Sequence, residues 1–358
     1  MKIYFILGTK AQFIKTIPVI NAAIKSKLEV TLYETGQHAE KATDLIKKIY
    51  GSFNHVKLSN NLKDIGTYTG LFKFAFFSLF KIIFTSDKAM KNKFCIVHGD
   101  TLSTLLGAFI VKRNKGILVL LEAGKSFPGM MNHFPESFVR YYVAKLSNVL
   151  IVNHDDHENQ LKDWSVKGKI LKIHRNTIYD SLSLVNLDDK KKSNLVTVSI
   201  HRTENINSKE NMSNLVKIIK EINKNYDINW YLHIPTKNKL KSFKLIKELK
   251  VDNIFLSDLI KYDEFLNKLN SSEFVITDGD GVVEECQILG IPTLVWRYEH
   301  LDSNYLFKKD NSLFLSEFDL NKCKYFFENY INFKRNRLYD VESPSSNVIE
   351  KLLAIQNY

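Results

Sequence analysis

The stretch FCIVHGDTLSTLLGAFIVKRNKGILVLLEAG, residues 94–124, decides the fold class of this chain. Two apolar runs, FCIVHG (94–99) and ILVLLEAG (117–124), enclose LSTLLGAFIVKR (102–113), which has the length and composition of a helix. Short apolar strands that alternate with helices predict βαβ units, in which the strands are parallel. Both runs end in glycine, where the chain turns over the carboxyl edge of the sheet.

The same alternation continues in both directions from this unit. The other candidate strands are IYFILG (3–8), EVTLYETG (29–36), VLIVN (149–153), LVTVSI (195–200), INWYLHI (228–234), NIFLS (253–257), FVITDG (274–279) and TLVW (293–296). Between the two series lies a polar connection, SLSLVNLDDKKKS, at residues 181–193. We therefore predict an α/β protein of two Rossmann-like doubly wound domains that face a central cleft at their carboxyl edges. The predicted domains are 1–182 and 183–345, followed by a helix over 346–358 that packs back on the first domain.

The composition narrows the classes of partner. A formal net charge of +12 and a pI near 9.3 favour nucleic acid, an anionic membrane surface or a phosphorylated substrate. The lysines are spread along the chain without a nucleic-acid-binding signature, so we expect no nucleic-acid partner. The cysteines Cys95, Cys286 and Cys323 lack metal-binding and disulfide spacing, which predicts no metal site and buried reduced thiols. Since no cleavage site follows the N-terminal strand, we expect a cytoplasmic protein.

The segment LFKFAFFSLFKIIF, residues 71–84, comes nearest to the length of a membrane span. It falls short of the roughly 18 apolar residues that a span needs, and Lys73 and Lys81 interrupt it. One interpretation is a core helix that covers the first sheet. The other is a basic, aromatic face that binds peripherally to an anionic membrane.

Four acidic or imidazole side chains stand out because they follow predicted strands. They are Asp100 in HGDTLST, Glu122 in LEAG, Glu136 in HFPESFVR and His201 in IHRTEN. Polar residues at the carboxyl ends of parallel strands are better placed for chemistry than those on helix faces, so we predict that these are catalytic. Taken singly, Asp100 could instead cap the following helix together with Thr101. Clustered carboxylates would shift one another's pKa values apart, which provides an acid and a base at one pH.

Two further segments have features of a nucleotide site. GTK (8–10) joins the first strand to the first helix, and offers backbone N–H groups and a cation at a helix N-terminus. Lys15 lies on that helix, either as a phosphate ligand or as a solvated charge. In TDGDGVVEECQILGIP (277–292) a glycine-rich turn joins a strand to a helix that carries Glu284 and Glu285. These carboxylates either complement the helix dipole or accept hydrogen bonds from a ribose.

Together, the motifs resemble the non-hydrolysing bacterial UDP-N-acetylglucosamine 2-epimerases, over roughly residues 1–345. GTKAQFIKTIPV resembles the opening element of that family, and ETGQH, HGDTLST, LEAGKSF, FPESFVR, SIHRTEN and TDGDGVVEE resemble later blocks in the same order. The resemblance implies a GT-B-like fold, a UDP-N-acetylhexosamine substrate and a role in surface polysaccharide biosynthesis. It implies inversion of C2 of the sugar, through elimination of UDP and its re-addition to an unsaturated intermediate. It also implies a homodimer and no cofactor.

The resemblance implies a role for each matched position. Asp100, Glu122 and Glu136 fall on the catalytic acids of the family, and His201 falls on the histidine beside the diphosphate. Glu285 falls on the position that holds the ribose. The groups implied around the nucleotide and its phosphates are Lys10, Lys15, Arg140, Arg202, Gly279, Gly281 and Glu285.

One departure from the family pattern concerns the phosphates. Where the family has Ser-Gly in its TDSGG turn, this chain has Gly279 and Asp280, which places a carboxylate where a diphosphate is expected. Either Asp280 turns away from the ligand or the ligand is bound differently. Two enzyme classes therefore stay open. One is an epimerase, which the three acids and HRTEN favour. The other is a GT-B glycosyltransferase with a carboxylate as general base, which suits the basic, aromatic segment 71–84.

Overall fold

The computed structural model describes residues 1–37, 39–58, 85–125, 136–187, 194–298, 311–338 and 342–356. Two compact units make up the chain, Met1–Leu184 together with Glu342–Tyr358, and Val185–Val341. The segment 71–84, with its two interpretations, lies outside the described residues. None of the helices in the described ranges is both long and apolar enough to span a membrane.

The N-terminal unit is built on a seven-stranded parallel sheet. Its strands are β1 (Lys2–Leu7), β2 (Glu29–Glu34), β3 (Asn54–Lys57), β4 (Phe94–His98), β5 (Ile117–Leu121), β6 (Val149–Val152) and β7 (Lys169–Lys172). Its helices in this part of the chain are α1 (Lys10–Lys25), α2 (Ala39–Ile46), α3 (Leu102–Arg113), α4 (Glu136–Leu146), α5 (Asp155–Asp163) and α6 (Ile178–Leu182). The central strands β1 and β4 are near-continuous apolar runs because both faces of a parallel sheet are covered, and they are buried along almost their whole length.

The strand order places two loops at one position on the edge of this sheet. The order is β3-β2-β1-β4-β5-β6-β7, so the direction of winding reverses between β1 and β4. Doubly wound sheets bind ligands at such a switch point, outside the carboxyl ends of the strands. GTK (8–10) follows β1, and Gly99 and Asp100 follow β4, so both candidate segments lie at the switch point of the N-terminal unit.

The C-terminal unit is built on a six-stranded parallel sheet of order β10-β9-β8-β11-β12-β13. Its strands are β8 (Leu195–Ser199), β9 (Asp227–Leu232), β10 (Ile254–Asp258), β11 (Phe274–Thr277), β12 (Thr293–Val295) and β13 (Leu313–Leu315). Its helices are α7 (Thr203–Ile206), α8 (Lys209–Ile222), α9 (Ile234–Ser242), α10 (Tyr262–Asn270), α11 (Asp280–Leu289) and α12 (Leu320–Asn329). The winding reverses between β8 and β11, so His201 and Gly279 both follow strands at the switch point of this unit.

A last helix, α13 (Pro344–Gln356), belongs to the N-terminal unit and packs against α1 and α6. Val348, Ile349 and Leu352 are buried on its inner face. At its start, the backbone N–H of Ser345 donates to the Asp180 carboxylate over 2.8 Å. The end of the chain is thereby attached to the unit that contains its beginning.

The predicted fold class is confirmed, since both sheets are parallel and doubly wound. Every predicted strand is present, and the helix predicted at 102–113 has the same bounds as α3. Three strands are found that the sequence patterns do not predict, namely β3, β7 and β13, and each lies at the edge of a sheet. Edge strands have one neighbour and need no long apolar run.

Candidate active site

Glu122 lies directly after β5, where three side chains converge on its carboxylate. Lys15 of α1 donates to Oε1 over 2.5 Å, and Nε2 of His98 lies 3.2 Å from Oε2. Asn176, just before α6, also donates to Oε1. The Glu122 side chain is 15% exposed, so a helix, a strand and a loop together hold a carboxylate that is largely out of water.

The pKa of Glu122 lies well below its usual range. Burial by itself would raise this pKa, but the charge of Lys15 and the hydrogen bond with His98 lower it, and Lys125 adds to their effect. The cause is a group of cations and not a neighbouring carboxylate, so Glu122 is ionised at neutral pH. Its backbone has φ of 55°, a left-handed conformation that non-glycine residues rarely adopt, which is a common feature of functional sites.

Gln12 connects the loops at the switch point of the N-terminal unit. Its side-chain oxygen accepts from the backbone N–H of Gly8 over 2.8 Å, and its amide nitrogen donates to the carbonyl of His98 over 2.7 Å. The same residue completes a capping box with Thr9 at the start of α1. The side chain of His98 is held separately. Its Nδ1 lies 2.9 Å from the Thr16 hydroxyl, which fixes the orientation of the imidazole that faces Glu122.

Asp100 follows β4 and pairs with Arg140 of α4. Nε of Arg140 lies 2.5 Å from Oδ2 of Asp100, and Nη2 contacts the same oxygen. Nη1 of Arg140 donates to the carbonyl of Lys125 over 2.8 Å, which fixes the guanidinium. The following helix is capped by Thr101, whose hydroxyl accepts from the backbone of Thr104, so the Asp100 carboxylate is not used as the cap.

Two predicted residues of this unit lie at helix starts. Glu136 is the first residue of α4 and is exposed, and Lys10 is the first residue of α1 and is half-buried. The structure thus brings Lys15 to Glu122 and Arg140 to Asp100, although the family resemblance implies a phosphate role for both cations. Their phosphate roles stay predictions.

In the C-terminal unit, Asp278 holds the loop that follows β8. Its carboxylate is fully buried and accepts from the backbone N–H groups of His201 and Arg202, each over 3.0 Å. It also accepts from the side chain of Asn205 over 2.8 Å. One buried carboxylate therefore positions the HRTEN segment at the switch point of this unit.

The imidazole of His201 lies between another ring and a glycine. It stacks on His233 with 4.6 Å between ring centroids and an interplanar angle of 23°. On the backbone of Gly279, a Cβ atom would lie 2.6 Å from Cε1 of His201, which is closer than atoms in proteins pack. The absence of a side chain at Gly279 therefore makes room for the His201 ring. A serine at position 279, as in the family pattern, would require the ring to shift.

A Gly279→Ala variant is expected to destabilise the C-terminal unit by about 1–3 kcal/mol, because the added methyl group displaces the His201 ring. Urea unfolding would measure this change. Gly281→Ala is the matched control, since no described atom lies within 4 Å of a Cβ at that position. Equal stability of Gly279→Ala and the wild type would contradict this packing.

Asp280 begins α11 and turns towards two arginine side chains. Its Oδ2 lies 3.3 Å from Nη1 of Arg202, and its Oδ1 accepts from Nη2 of Arg297. Arg297 also donates from Nε to the carbonyl of Asp278 over 2.8 Å. The carboxylate that departs from the family pattern is thus ion-paired on both oxygens.

Glu285 lies one helical turn further along α11 and is 4% exposed. The hydroxyl of Tyr262 donates to its Oε1 over 2.9 Å. Burial, and then the charge of Glu285, raise the pKa of Tyr262 well above its usual value, so the phenol stays protonated as a donor. The ribose role of Glu285 stays a prediction.

Several residues that the structure places at these positions are not predicted from the sequence: Gln12, His98, Asn176, Tyr262 and Arg297. A signal was available for Gln12, because Thr9 and Gln12 have the spacing of a capping box. His98 ends a predicted strand directly before the turn that carries Asp100.

Metal-binding clusters and disulfides are absent from the parts of the chain that the structure describes. There, no three His, Cys, Asp or Glu side chains are placed to hold a metal ion. Cys95, Cys286 and Cys323 are buried free thiols, as predicted. Burial raises the pKa of the Cys323 thiol to about 12.

Two doubly wound parallel sheets with polar groups at each switch point define the class of GT-B-like α/β proteins. Solved structures with this fold include the UDP-GlcNAc 2-epimerase of Methanocaldococcus jannaschii in complex with UDP-GlcNAc and UDP. Its TM-score is 0.77 at 24% identity, over 99% of this chain and 100% of that chain. The epimerase of Neisseria meningitidis bound to UDP-GlcNAc gives 0.78 at 20% identity, over 99% and 100%.

Sequence comparison identifies the family within this class. The family profile described as UDP-N-acetylglucosamine 2-epimerase matches residues 22–314. The UDP-N-acetylglucosamine 2-epimerase of M. jannaschii is 30% identical in an alignment of 325 residues, gaps included, and the alignment covers 83% of this chain and 84% of the relative. The chain belongs to the UDP-N-acetylglucosamine 2-epimerase family, and its enzyme class is that of the isomerases. The resemblance found in the sequence motifs is confirmed.

Proposed function

We propose that this protein inverts C2 of UDP-N-acetylglucosamine by elimination and re-addition of UDP. Besides family membership, the proposal rests on the arrangement of two carboxylates and their cations. At the carboxyl edge of the N-terminal sheet, Asp100 and Glu122 follow the adjacent strands β4 and β5, each beside its own cation. Carboxylates and cations at the ligand-binding edge of a doubly wound sheet are the groups that proton transfer at a sugar carbon requires.

The chemistry defines what these groups must do. The C2–H of a sugar is a very weak acid, so its removal needs a positioned base and a stabilised leaving group. The proton passes to a carboxylate while the C1–O bond breaks, its electron pair leaves with UDP, and a C1=C2 double bond forms. UDP then adds back to C1 and a proton adds to the opposite face of C2, which gives the manno configuration.

We assign the removal of the C2 proton to Asp100. Its side chain is 20% exposed, and Arg140 fixes its orientation from one side. Glu122 has a different role, because its lowered pKa makes it a weak base that remains ionised. Its charge holds Lys15 and His98 in position at the same sheet edge. Glu136, exposed at the start of α4, is assigned as a second proton-transfer group.

We assign nucleotide binding to the C-terminal unit and to Lys10. His201 and Arg202 supply donors to the diphosphate, and the turn with Gly279 and Gly281 leads into the N-terminus of α11, where helix amides favour anions. Glu285 accepts from the ribose hydroxyls, with Tyr262 fixing its position. Lys10 adds a cation at the start of α1.

Incubation with UDP-N-acetylglucosamine, followed by proton NMR, tests this function. The expected product is UDP-N-acetylmannosamine, which accumulates to a stable ratio of the two sugars without added cofactor. Release of UDP only in the presence of a glycan acceptor, without the manno epimer, would assign a glycosyltransferase instead.

We further propose that the enzyme is a cytoplasmic homodimer that serves surface polysaccharide synthesis, and that residues 71–84 contact anionic membranes. The net charge of +12 supports attraction to anionic lipid. Light scattering tests the dimer, and sedimentation with anionic liposomes at low salt tests the membrane contact, since the attraction is then strongest. Protein that stays in the supernatant at low salt would rule the membrane contact out.

A further inference from the structure

Asp280 is the first residue of α11, and its carboxylate lies between two guanidinium groups. The contact with Nη1 of Arg202 is 3.3 Å, and Nη2 of Arg297 binds the other carboxylate oxygen. The Asp280 side chain is 19% exposed, whereas the Arg297 side chain is 3% exposed. An anion at this position therefore neutralises a guanidinium that water hardly reaches.

Arg297 retains an unused donor in this position. Nε and Nη2 bind the carbonyl of Asp278, and Nη2 also binds Asp280. Nη1 is buried and has no hydrogen-bond partner among the described residues. A buried, charged donor without an acceptor is costly, so an incoming anion with several oxygen atoms would bind it more completely than a carboxylate does.

The surroundings of this donor also suit an anion. The first amides of α11 have no carbonyl partner within the helix, and the helix dipole favours negative charge at this end. Beside them, the position of a Cβ on Gly281 has no described atom within 4 Å, which leaves open space at the first turn. Two guanidinium groups and a helix N-terminus thus share one location. Among the described residues, Glu204 pairs there with Arg202 alone, over 2.6 Å, whereas Asp280 contacts both guanidinium groups.

We propose that Asp280 is an internal counter-ion in a phosphate site formed by Arg202, Arg297 and the N-terminus of α11, and that it limits the affinity of this site. A phosphate group of the ligand replaces the carboxylate, which swings away as the guanidinium groups bind the phosphate oxygens. Asp280 is therefore an affinity-determining residue. The proposal rests on the proposed function only for the identity of the ligand, a nucleoside diphosphate.

The test compares the wild type with Asp280→Asn, which keeps the size of the side chain and removes its charge. Calorimetric titration with UDP and, separately, with inorganic pyrophosphate is expected to show about tenfold tighter binding to the variant. Without ligand, the variant is expected to melt at a lower temperature, because Arg297 loses its counter-ion. With pyrophosphate, its melting temperature is expected to rise by more than that of the wild type.

Two further variants make the comparison specific. Asp252→Asn removes the same charge from an exposed loop at the amino end of β10, and is expected to leave both affinities unchanged. Asp280→Gly restores the glycine of the family pattern, and is expected to tighten binding as Asp280→Asn does. It also serves as the test variant if Asp280→Asn does not fold.

Each outcome decides the proposal. Tighter binding of pyrophosphate by the Asp280 variants, reduced at high salt, supports it even if the wild type forms no epimer, in which case only the proposed function fails. Unchanged or weaker binding of both probes by the folded Asp280 variants overturns the proposal, even if the wild type is an active epimerase. A purely structural role for Asp280 would lower the melting temperature without raising either affinity.

Discussion

Asp100→Asn is expected to lower kcat of epimerisation about 1000-fold, because the amide cannot accept the C2 proton and general base catalysis typically contributes 10²–10⁴-fold. Asparagine has the shape of aspartate and still accepts a hydrogen bond from Arg140, so the fold is expected to persist. Circular dichroism and thermal unfolding would check the fold, and conversion of UDP-N-acetylglucosamine would measure kcat.

The matched control for this variant is Asp163→Asn, which removes a carboxylate from the exposed end of α5. Its kcat is expected to equal that of the wild type. If Asp100→Asn retains wild-type kcat, Asp100 is not the base, and Glu136→Gln becomes the variant on which the assignment depends. A loss of kcat in Asp163→Asn as well would point to a general effect of charge.

Glu122→Gln is expected to lower both activity and stability. The variant leaves Lys15 without a counter-charge in a largely buried position, and breaking such a pair costs about 3 kcal/mol. Loss of the fixed positions of Lys15 and His98 is expected to reduce kcat at least 100-fold, which steady-state kinetics would measure. Unfolding by urea at pH 7 would measure the stability.

The stability difference has a predicted pH dependence. The folded pKa of Glu122 lies below its unfolded value, so the carboxylate stabilises the fold above the ordinary glutamate pKa, about 4.3. This contribution decreases as the pH falls below that value towards the folded pKa. The wild type should therefore lose stability more steeply than Glu122→Gln in that acidic range.

Glu158→Gln is the control for both measurements. Glu158 is half-buried and pairs over 2.7 Å with the exposed Lys162 at the surface of α5, and such a surface pair is worth less than about 1 kcal/mol. A Glu122→Gln variant as stable as Glu158→Gln, with the acid sensitivity of the wild type, would show that the Glu122 network contributes little.

The fold could be predicted where strands are buried on both faces. Runs such as KIYFIL and FCIVH are apolar at all but one position, because both faces of a central strand in a parallel sheet are covered. The strands β3 (NHVK) and β7 (KILK) could not be predicted, because they lie at sheet edges and are only half-buried. Their sequences are too short and too polar to differ from loops.

For the candidate site, the sequence predicts where the functional residues lie in the fold but not which side chains they contact. Asp100 and Glu122 lie at the carboxyl edge of the sheet because they follow strands, a local property of the sequence. The contact of Glu122 with Asn176 joins residues 54 positions apart, and that of Lys15 with Glu122 joins residues 107 apart. The cationic side chains of lysine and arginine bind both phosphate and carboxylate groups. Only the folded structure therefore shows which of the two groups each side chain contacts.

The partners of Asp280 could not be predicted for the same reason, because they are distant in the sequence. In the sequence Asp280 is a carboxylate in a turn where the family pattern has glycine. Its neutralisation depends on Arg202 and on Arg297, which lies 17 residues further along the chain. The strand β12 brings that arginine back to the switch point, and no local pattern predicts the contact.

Proton NMR of the wild type with UDP-N-acetylglucosamine in deuterium oxide shows directly whether the enzyme removes the C2 proton of the sugar. The C2 proton signal is expected to disappear as deuterium enters from solvent, and the manno epimer is expected to appear with deuterium at C2. Formation of the manno epimer with the original C2 proton fully retained would contradict proton removal by a carboxylate that exchanges with solvent. Absence of both exchange and epimer would contradict the epimerase function itself.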